Sequence, residues 1–430
     1  MSEGVRKPWW SWLFLYARTP DGVTERHWKV LGALGATYLV NSYDLGLLNL
    51  ALPQIQQGLG VSESEVGGMA GIVRLGVLPA LVLNVLADRI GRRRLLLVTL
   101  LGFTICTFLT AFCRTPTEFV ILQLLARMFI YSEEMLAIVV VTEELDAHAR
   151  GWGIGLMVAF GAFGHGFAAL FFSAVDVLPY GWRALYFIGA MPLLLIVWFR
   201  RTLQETHRFT EQARRRQEAE TPTLMLDPLR KLLTRYPMRL FGLAAALAPV
   251  SFAVGSALQF QSKYLQEVHG YAPGHVSMLF LLGGLLAITG GLLCGRASDR
   301  FGRRRVLSAA IVVNAVGILG FYNTAGMILP MFWIMVIFTQ FGIDVLFSAL
   351  GSELFPTSYR STASAARSIV STVSIAAGLA LEGLLYVWLG SHAAAISTMT
   401  WCALAAPLLL LTLVPETAGR ELEEIAPDED

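Results

Sequence analysis

The sequence predicts an all-α membrane protein in which twelve transmembrane helices form two six-helix, pseudo-symmetric bundles. Three observations predict it: the composition, the recurrence of long apolar stretches, and a charged phrase that occurs twice. Of the 430 residues, 55% are hydrophobic and only 15% are charged, and the mean hydropathy is +0.59. Soluble domains carry about 25% charged residues, so most of this chain is expected to lie in lipid.

Apolar stretches of roughly 20 residues recur along the chain, and each is long enough to cross a hydrocarbon core about 30 Å thick. Because every backbone amide in lipid must be hydrogen-bonded within its own segment, these stretches are predicted to be helices. The predicted spans cover residues 29–51, 64–86, 95–113, 117–141, 152–174, 183–199, 240–262, 276–296, 306–323, 327–350, 363–387 and 393–414.

The positive charges lie in alternate loops. Four arginines fall within residues 89–94, ten basic residues within 200–239, and five within 296–305, whereas the intervening loops contain only Arg114, Arg183 and Lys263. Cytoplasmic loops carry the excess of Lys and Arg, so we expect both termini and the central loop to be cytoplasmic, in a cell membrane of the bacterial inner-membrane type.

The same reasoning sets the expected boundaries along the chain. A cytosolic N-terminal segment covers residues 1–28, and a cytosolic tail covers 415–430. Between them lie an N-terminal bundle at 29–199, a charged cytosolic linker at 200–239 and a C-terminal bundle at 240–414.

A charged phrase occurs twice, as "ADRIGRRR" at 87–94 and "ASDRFGRRR" at 297–305. A second repeat relates the segment from Glu143 to Arg150 to the segment from Glu353 to Arg360. The two offsets nearly agree, since 299 − 88 is 211 and 353 − 143 is 210. A parallel repeat of six spans is typical of alternating-access transporters that bind substrate between their halves.

The stretches "NVLADRIGRRRLL" and "GRASDRFGRRRVL" resemble the loop signature of the major facilitator superfamily. "ELFPTSYR" at 353–360 and "PETAGRELEEI" at 415–425 are similar to signatures of its sugar-porter and organic-ion branches. The resemblance covers essentially the whole chain, although Asn84 stands where the signature usually has Gly.

The resemblance implies a cytosolic gate, in which ion pairs latch one face of the protein in one state and release it in the other. The alternative is that these charges only set the orientation in the membrane. The residues expected in the gate are Asp88, Arg89, Gly91, Arg92, Glu143, Arg150, Asp299, Arg300, Gly302, Arg303, Glu353 and Arg360.

Ionisable residues inside predicted spans are costly and therefore need a partner or a function. Span 1 carries Asn41 and Asp44 on one face, and span 4 carries Arg127, Tyr131 and Glu134 on one face. The resemblance implies that both spans line the cavity, that Asp44 pairs with Arg127, and that this pair couples transport to protons. A static structural pair is the alternative.

Other polar residues inside spans are predicted to line the substrate cavity. His165 is a single histidine on span 5 and could equally be a packing residue. The complete set of predicted cavity residues is Asn41, Arg74, Tyr131, Glu134, His165, Asp344 and Glu382.

The substrate class is narrowed by what the chain lacks. Span 7, "ALAPVSFAVGSALQFQ", has no Gln pair, and span 10 has no Trp of the sugar-porter kind, so a sugar is disfavoured. "DLGLLNLALP" at 44–53 is similar to a drug:proton antiporter signature, but the Gly-Pro core of those antiporters is missing from residues 151–170.

We therefore expect proton symport that takes up a small organic solute, such as an aromatic or carboxylic metabolite. Efflux by proton antiport and an uncoupled facilitator or receptor-like protein are the alternatives. The expected partners are the solute, protons and lipid, with the chain as a monomer. No enzyme activity, cofactor or nucleic acid is expected, and the seven histidines show no metal-ligand spacing.

Overall fold

A computed structural model of the chain describes residues 19–190, 227–356 and 359–418. Side chains at a few positions within these ranges, including residues 85–90 and 92, are not described. Most of the predicted linker and tail lies outside the described residues, so their boundaries stay predictions. In the described part of the chain the regular structure is entirely helical, which confirms the predicted fold class.

The first half of the sequence contains eight described helices. They are α1 (Glu25–Leu50), α2 (Leu52–Leu59), α3 (Glu63–Arg74), α4 (Val77–Ile90), α5 (Arg92–Thr110), α6 (Pro116–Glu144), α7 (Ala147–Phe172) and α8 (Trp182–Gly189).

The second half contains eight more helices, a π-helical turn at Tyr264–Val268 and a 3-10 turn at Gly326–Ile328. The helices are α9 (Asp227–Arg235), α10 (Pro237–Lys263), α11 (Pro273–Phe301), α12 (Arg303–Asn323), α13 (Leu329–Glu353), α14 (Arg360–Leu389), α15 (His392–Ala403) and α16 (Ala405–Leu413).

Within the described residues, nine helical segments are long and apolar enough to cross a membrane, with α3–α4 and α15–α16 each counted as one. Helices α1 and α6 match predicted spans 1 and 4 in length, but polar and charged residues in their interiors make them less apolar. The sixth predicted span begins with α8 and continues beyond Ala190, outside the described residues.

The chain divides into two compact units, Met1–Ala51 with Gly76–Thr221, and Leu52–Leu75 with Pro222–Asp430. In the first unit α1 packs along α7, and α6 packs against both α4 and α5. Glycines allow the closest approaches: a Cβ atom added at Gly164 of α7 would lie 2.0 Å from the Leu39 carbonyl oxygen of α1.

In the second unit α14 packs on α10, and α13 packs on α11 and α12. Helix α3 belongs to this unit although it precedes α4 in the sequence, because it packs along α14. A Cβ atom at Gly67 of α3 would lie 2.4 Å from the Leu379 carbonyl oxygen, and one at Gly383 of α14 would lie 2.2 Å from the Ser64 carbonyl oxygen. The sequence pattern did not predict this grouping.

Candidate functional site

The first unit contains a buried charged pair that joins α1 to α6. The Asp44 side chain is 0% exposed and the Arg127 side chain 3%, and Arg127 Nη1 lies 3.9 Å from Asp44 Oδ2. Arg127 Nη2 also approaches the Asp44 carbonyl oxygen at 3.5 Å, and Thr107 of α5 donates a hydrogen bond to Asp44 Oδ1 at 3.2 Å. The structure therefore brings together the two residues that the sequence predicts to pair.

The pair is incompletely hydrogen-bonded. Asp44 Oδ2, Arg127 Nε and Arg127 Nη1 are buried and have no hydrogen-bond partner among the described residues. A carboxylate and a guanidinium that interact strongly usually make two parallel N–H···O bonds near 2.8 Å. At 3.9 Å the attraction is electrostatic only, which leaves room for a proton or another group to compete for the carboxylate.

Thr107 was missed by the sequence analysis, although a signal for it exists. Helix α5 carries four buried threonines, and in three of them the hydroxyl donates to a carbonyl of the same helix, as Thr104 does to Leu100. Thr107 alone of these four donates to another helix, at Asp44. Its spacing from the other threonines could not have distinguished it, because the distinction depends on the facing helix.

Other predicted cavity residues of the first unit surround this pair. Asn41 is fully buried with no hydrogen-bond partner for either side-chain atom among the described residues. Glu134 is half-buried and within electrostatic reach of Arg127, as is the exposed His165, whose Nδ1 lies 3.1 Å from the Gly161 carbonyl oxygen. Tyr131 is half-buried beside them.

Glu133, which precedes Glu134 in the sequence, is a further buried carboxyl outside the predicted set of cavity residues. It is 0% exposed, and neither of its oxygens has a hydrogen-bond partner in the described part of the chain. The polar side chains of Thr37 and Asn41, both on α1, interact with the Glu133 carboxyl group. Together with Asp44 it makes this region of the first unit rich in buried carboxyl groups.

The second unit carries separate polar contacts. Arg74, at the C-terminal end of α3, donates to Gln259 Oε1 of α10 at 3.0 Å. On α13, Gln340 donates to Asp344 Oδ1 at 3.1 Å, and Arg367 of α14 is the nearest charge acting on that exposed carboxylate. These residues lie on four helices of the unit, namely α3, α10, α13 and α14.

Glu382 does not lie with these groups. It is fully buried and contacts His392 of α15, near Glu63 of α3. Ser371 lies on the same face of α14, three turns earlier, and its hydroxyl hydrogen-bonds the Ser251 hydroxyl of α10 at 3.0 Å. Helical periodicity places Glu382 and Ser371 on one face of α14. It does not show that α3 covers the part of that face around Glu382.

The second copy of the repeated phrase forms an ion-pair cluster. Arg303 contacts Asp299 Oδ1 at 2.7 Å and Glu353 Oε1 at 3.0 Å, while its backbone N–H donates to Glu416 Oε1 at 2.8 Å. Thr417 donates to Glu353 Oε2 at 2.6 Å. The "PET" segment therefore contacts both the repeated loop and the end of α13.

The two copies of the phrase share a backbone conformation. Gly91 has φ 104° and ψ 137°, and Gly302 has φ 100° and ψ 140°. Only glycine adopts such positive φ values without strain. The side chains of Asp88, Arg89 and Arg92 lie outside the described residues, so their part in a gate stays a prediction.

The two segments of the second repeat, from Glu143 to Arg150 and from Glu353 to Arg360, also make the same contact in the structure. Arg150 Nε donates to the Leu145 carbonyl oxygen at 3.2 Å, and Arg360 Nε donates to the Phe355 carbonyl oxygen at 3.3 Å, five residues upstream in both cases. Each arginine therefore closes the turn between two successive helices. Arg300 and Glu143 are the other two predicted gate residues. The Arg300 guanidinium lies over the Phe301 ring, and Glu143 is half-buried in the last turn of α6.

Among the described residues, no three His, Cys, Asp or Glu side chains are arranged to hold a metal ion.

Comparison with known proteins identifies the family that has this architecture. The model of the Major Facilitator Superfamily matches residues 34–296 and 273–427. The chain is 27% identical over 413 residues to a probable 4-methylmuconolactone transporter of Cupriavidus pinatubonensis, covering 92% of each. It is 23% identical to a niacin transporter of Acinetobacter baylyi, covering 93% of this chain and 96% of that one.

A benzoate transport protein of Acinetobacter baylyi is 23% identical over 376 residues, which cover 79% of each protein. Among solved structures, a D-xylose-proton symporter has a TM-score of 0.74 at 17% identity, covering 91% of this chain and 99% of that chain. At that identity the structural match supports the fold alone, which is the two-bundle fold of twelve helices. The family model spans nearly the whole sequence, and this chain, a multi-pass membrane protein, belongs to the Major Facilitator Superfamily of transporters.

Proposed function

We propose that this protein takes up a small aromatic or carboxylic metabolite by proton symport, in the membrane orientation that places its repeated loops in the cytoplasm. The observation that carries the proposal is the Asp44–Arg127 pair, which is buried but separated by 3.9 Å and incompletely hydrogen-bonded. A carboxylate held so loosely can exchange its arginine partner for a proton as its surroundings change.

The substrate class is supported by the names of similar proteins. These proteins are named for 4-methylmuconolactone, for niacin, which is a pyridine carboxylic acid, and for benzoate. All of these compounds are small, and two of them combine one aromatic ring with one carboxylate. Since a monoanion that moves with one proton carries no net charge, such transport would be driven by the pH difference alone.

The test is uptake into proteoliposomes under an imposed pH gradient, with niacin and benzoate as probes. An alkaline interior should drive accumulation of the probe, by about tenfold for each pH unit. Protein-free liposomes are the control, because weak acids also cross lipid in their neutral form. Accumulation that requires an acidic interior would instead establish antiport, and equal distribution under both gradients would establish an uncoupled facilitator.

We propose Arg74 as the residue that recognises the substrate carboxylate. It is half-buried at the end of α3, where the helix ends before α4, and its Nη2 donates a hydrogen bond to Gln259 Oε1 at 3.0 Å. The planar guanidinium of arginine matches the geometry of a carboxylate, which it binds through two parallel hydrogen bonds. Arg74→Gln should raise the KM for niacin about 10- to 100-fold, because a charge-assisted contact is worth about 1.5–3 kcal/mol. Arg74→Lys should recover part of that loss.

Nicotinamide is the matched probe, since it differs from niacin in replacing the carboxylate by a neutral amide. Its KM should change little in Arg74→Gln if the arginine reads the negative charge. An equal rise in KM for both probes would show that Arg74 has a structural role.

A further inference from the structure

A second group of polar and charged residues lies at helix ends of the second unit, on the side away from the loop that contains Gly302. The ends of α10, α14 and α15 at this group are the ends remote from Gly302, because each helix crosses once between loops, and α3 packs along α14. The group is contained in the second unit. Its members are Gln56, Glu63, Lys263, Glu267, Glu382 and His392.

His392 is held between two carboxylates. Its Nδ1 atom lies 2.5 Å from Glu382 Oε1, and its Nε2 atom lies 2.8 Å from Glu63 Oε2. The ring is also packed against two aromatic rings, with centroids 4.3 Å from Tyr386 and 4.7 Å from Phe260. These contacts fix the ring plane, so both nitrogen atoms are directed at carboxylate oxygens at the same time.

This geometry requires more than one proton. A neutral imidazole has a single N–H group, and an ionised carboxylate can only accept. With neutral His392, one nitrogen would therefore face an oxygen with no hydrogen between them, at a distance of 2.8 Å or less. Both contacts become hydrogen bonds only when an additional proton lies on the ring or on one of the two carboxyl groups.

The charge around His392 favours that additional proton. Lys263 is shared: its Nζ atom lies 3.0 Å from Glu63 Oε2 and 2.6 Å from Glu267 Oε2, and it donates to Gln56 Oε1 at 2.6 Å. One lysine thus faces carboxylates from α3 and from the π-helical turn, while Glu382 from α14 adds a third negative charge. Two further titratable side chains face the group: Tyr322 interacts with Glu382, and Tyr386 stacks on His392.

Glu382 gives an independent indication of an exchangeable site. Its side chain is 0% exposed, and Oε2 has no hydrogen-bond partner among the described residues. That oxygen lies against Gly67 of α3, where an added Cβ atom would approach it to 2.8 Å. A buried carboxylate oxygen without a donor is unfavourable, and protonation of the carboxyl lowers that cost because a neutral group is easier to bury than a charged one.

We propose that Glu63, His392 and Glu382 form a proton-binding site, separate from Asp44 and Arg127, whose proton holds the start of α3 against the corner between α14 and α15. Loss of the proton places two acceptors face to face and weakens this contact. The proton would therefore control whether α3 stays packed on α14 within the second unit. Such a site would bind its proton whatever the direction of transport and whatever the substrate.

The test measures access to the α3–α14 contact as a function of pH. A thiol introduced by Ser64→Cys would report it, because Ser64 is half-buried and its carbonyl oxygen lies against Gly383. The full-length protein in lipid nanodiscs, with its four native cysteines replaced, would be labelled with a water-soluble maleimide between about pH 5.5 and pH 8, where histidine usually titrates. The rate would be divided by that of an exposed reference thiol, Gln57→Cys, to cancel the titration of the thiol itself.

The normalised labelling rate should rise about tenfold between about pH 5.5 and pH 8. A tenfold rise corresponds to proton binding that is tighter by one pKa unit when the contact is closed. Glu382→Gln should keep the rate low at all pH values, because its amide can donate to His392 without a proton. His392→Ala should make the rate high and independent of pH. His269→Gln is the matched control, since His269 lies in the neighbouring loop, where burial lowers its pKa.

Measurement in the Asp44→Asn background separates the two sites. Persistence of the pH dependence there supports a proton site in this group. Its loss in Asp44→Asn, a flat profile in the parent protein, or the same effect in His269→Gln as in His392→Ala would each overturn the proposal. Protection by Zn²⁺ at high pH that depends on His392 would also overturn it, because the group would then be a metal site.

Discussion

Asp44→Asn should abolish accumulation of niacin or benzoate driven by a pH gradient, while exchange of labelled for unlabelled solute continues. Asparagine keeps the size of the side chain, and Thr107 can still donate to its carbonyl oxygen as it does to Asp44. It cannot bind or release a proton, however, so the transport cycle would lose its coupling without losing its binding site. Accumulation under one pH unit should fall from about tenfold to the level of protein-free liposomes.

The experiment needs both measurements on the same preparation. Counterflow exchange reports substrate binding and the movement of the loaded protein, and gradient-driven uptake reports coupling. Asp176→Asn is a suitable control, since Asp176 is an exposed aspartate outside the described helices. Unchanged gradient-driven uptake in Asp44→Asn would exclude Asp44 as the coupling residue and leave its contact with Arg127 a structural one.

The loss of exchange as well as uptake would have a different meaning. Removal of one partner from a buried ion pair leaves the other charge uncompensated and typically costs about 3–5 kcal/mol. Arg127 has Glu134 within electrostatic reach, which should limit that cost. A folded protein with neither activity would therefore indicate that Asp44 also contacts the substrate.

Gly164→Ala should destabilise the first unit strongly. The added Cβ atom would lie 2.0 Å from the Leu39 carbonyl oxygen and 2.8 Å from the Ser42 Cβ atom, and the backbone of α1 cannot move aside as a flexible side chain could. We expect α1 and α7 to separate, at a cost of about 1–3 kcal/mol, the usual range for overpacking. A lower melting temperature and a loss of monodisperse protein in detergent would report it.

Gly155→Ala is the matched control on the same helix. A Cβ atom at Gly155 meets no atom within 4 Å, and alanine is the better helix former by about 1 kcal/mol. The control should therefore be neutral or slightly stabilising. If both variants lose stability equally, close packing of α1 on α7 is not the reason for glycine at position 164.

The fold class was predictable because the bilayer imposes a strong and simple constraint. Long apolar stretches must be helices, and the alternation of positive loops supports their count. The duplication could also be predicted from the sequence. Gly91 and Gly302 adopt nearly the same positive φ angle, and Arg150 and Arg360 close the same kind of turn. These features are local, and local sequence determines them.

The pairing of Asp44 with Arg127 was implied by the resemblance, which places spans 1 and 4 together at the cavity. Charged residues inside apolar helices also need a partner or a function. The 3.9 Å separation and the buried atoms without hydrogen bonds could not be predicted, because they depend on how α1, α5 and α6 pack. Those details are what suggest an exchangeable proton in preference to a static pair.

By itself, the sequence determined that this protein is a duplicated helical membrane transporter with buried charges, because hydropathy, charge and glycine positions act within single helices or turns. Only the tertiary structure decided which of those charges meet. Glu63 and His392 are separated by 329 residues, and no periodicity relates them. They come together because glycines at positions 67, 71 and 383 let α3 lie directly on α14, and close packing of that kind is a property of two surfaces and not of one sequence segment.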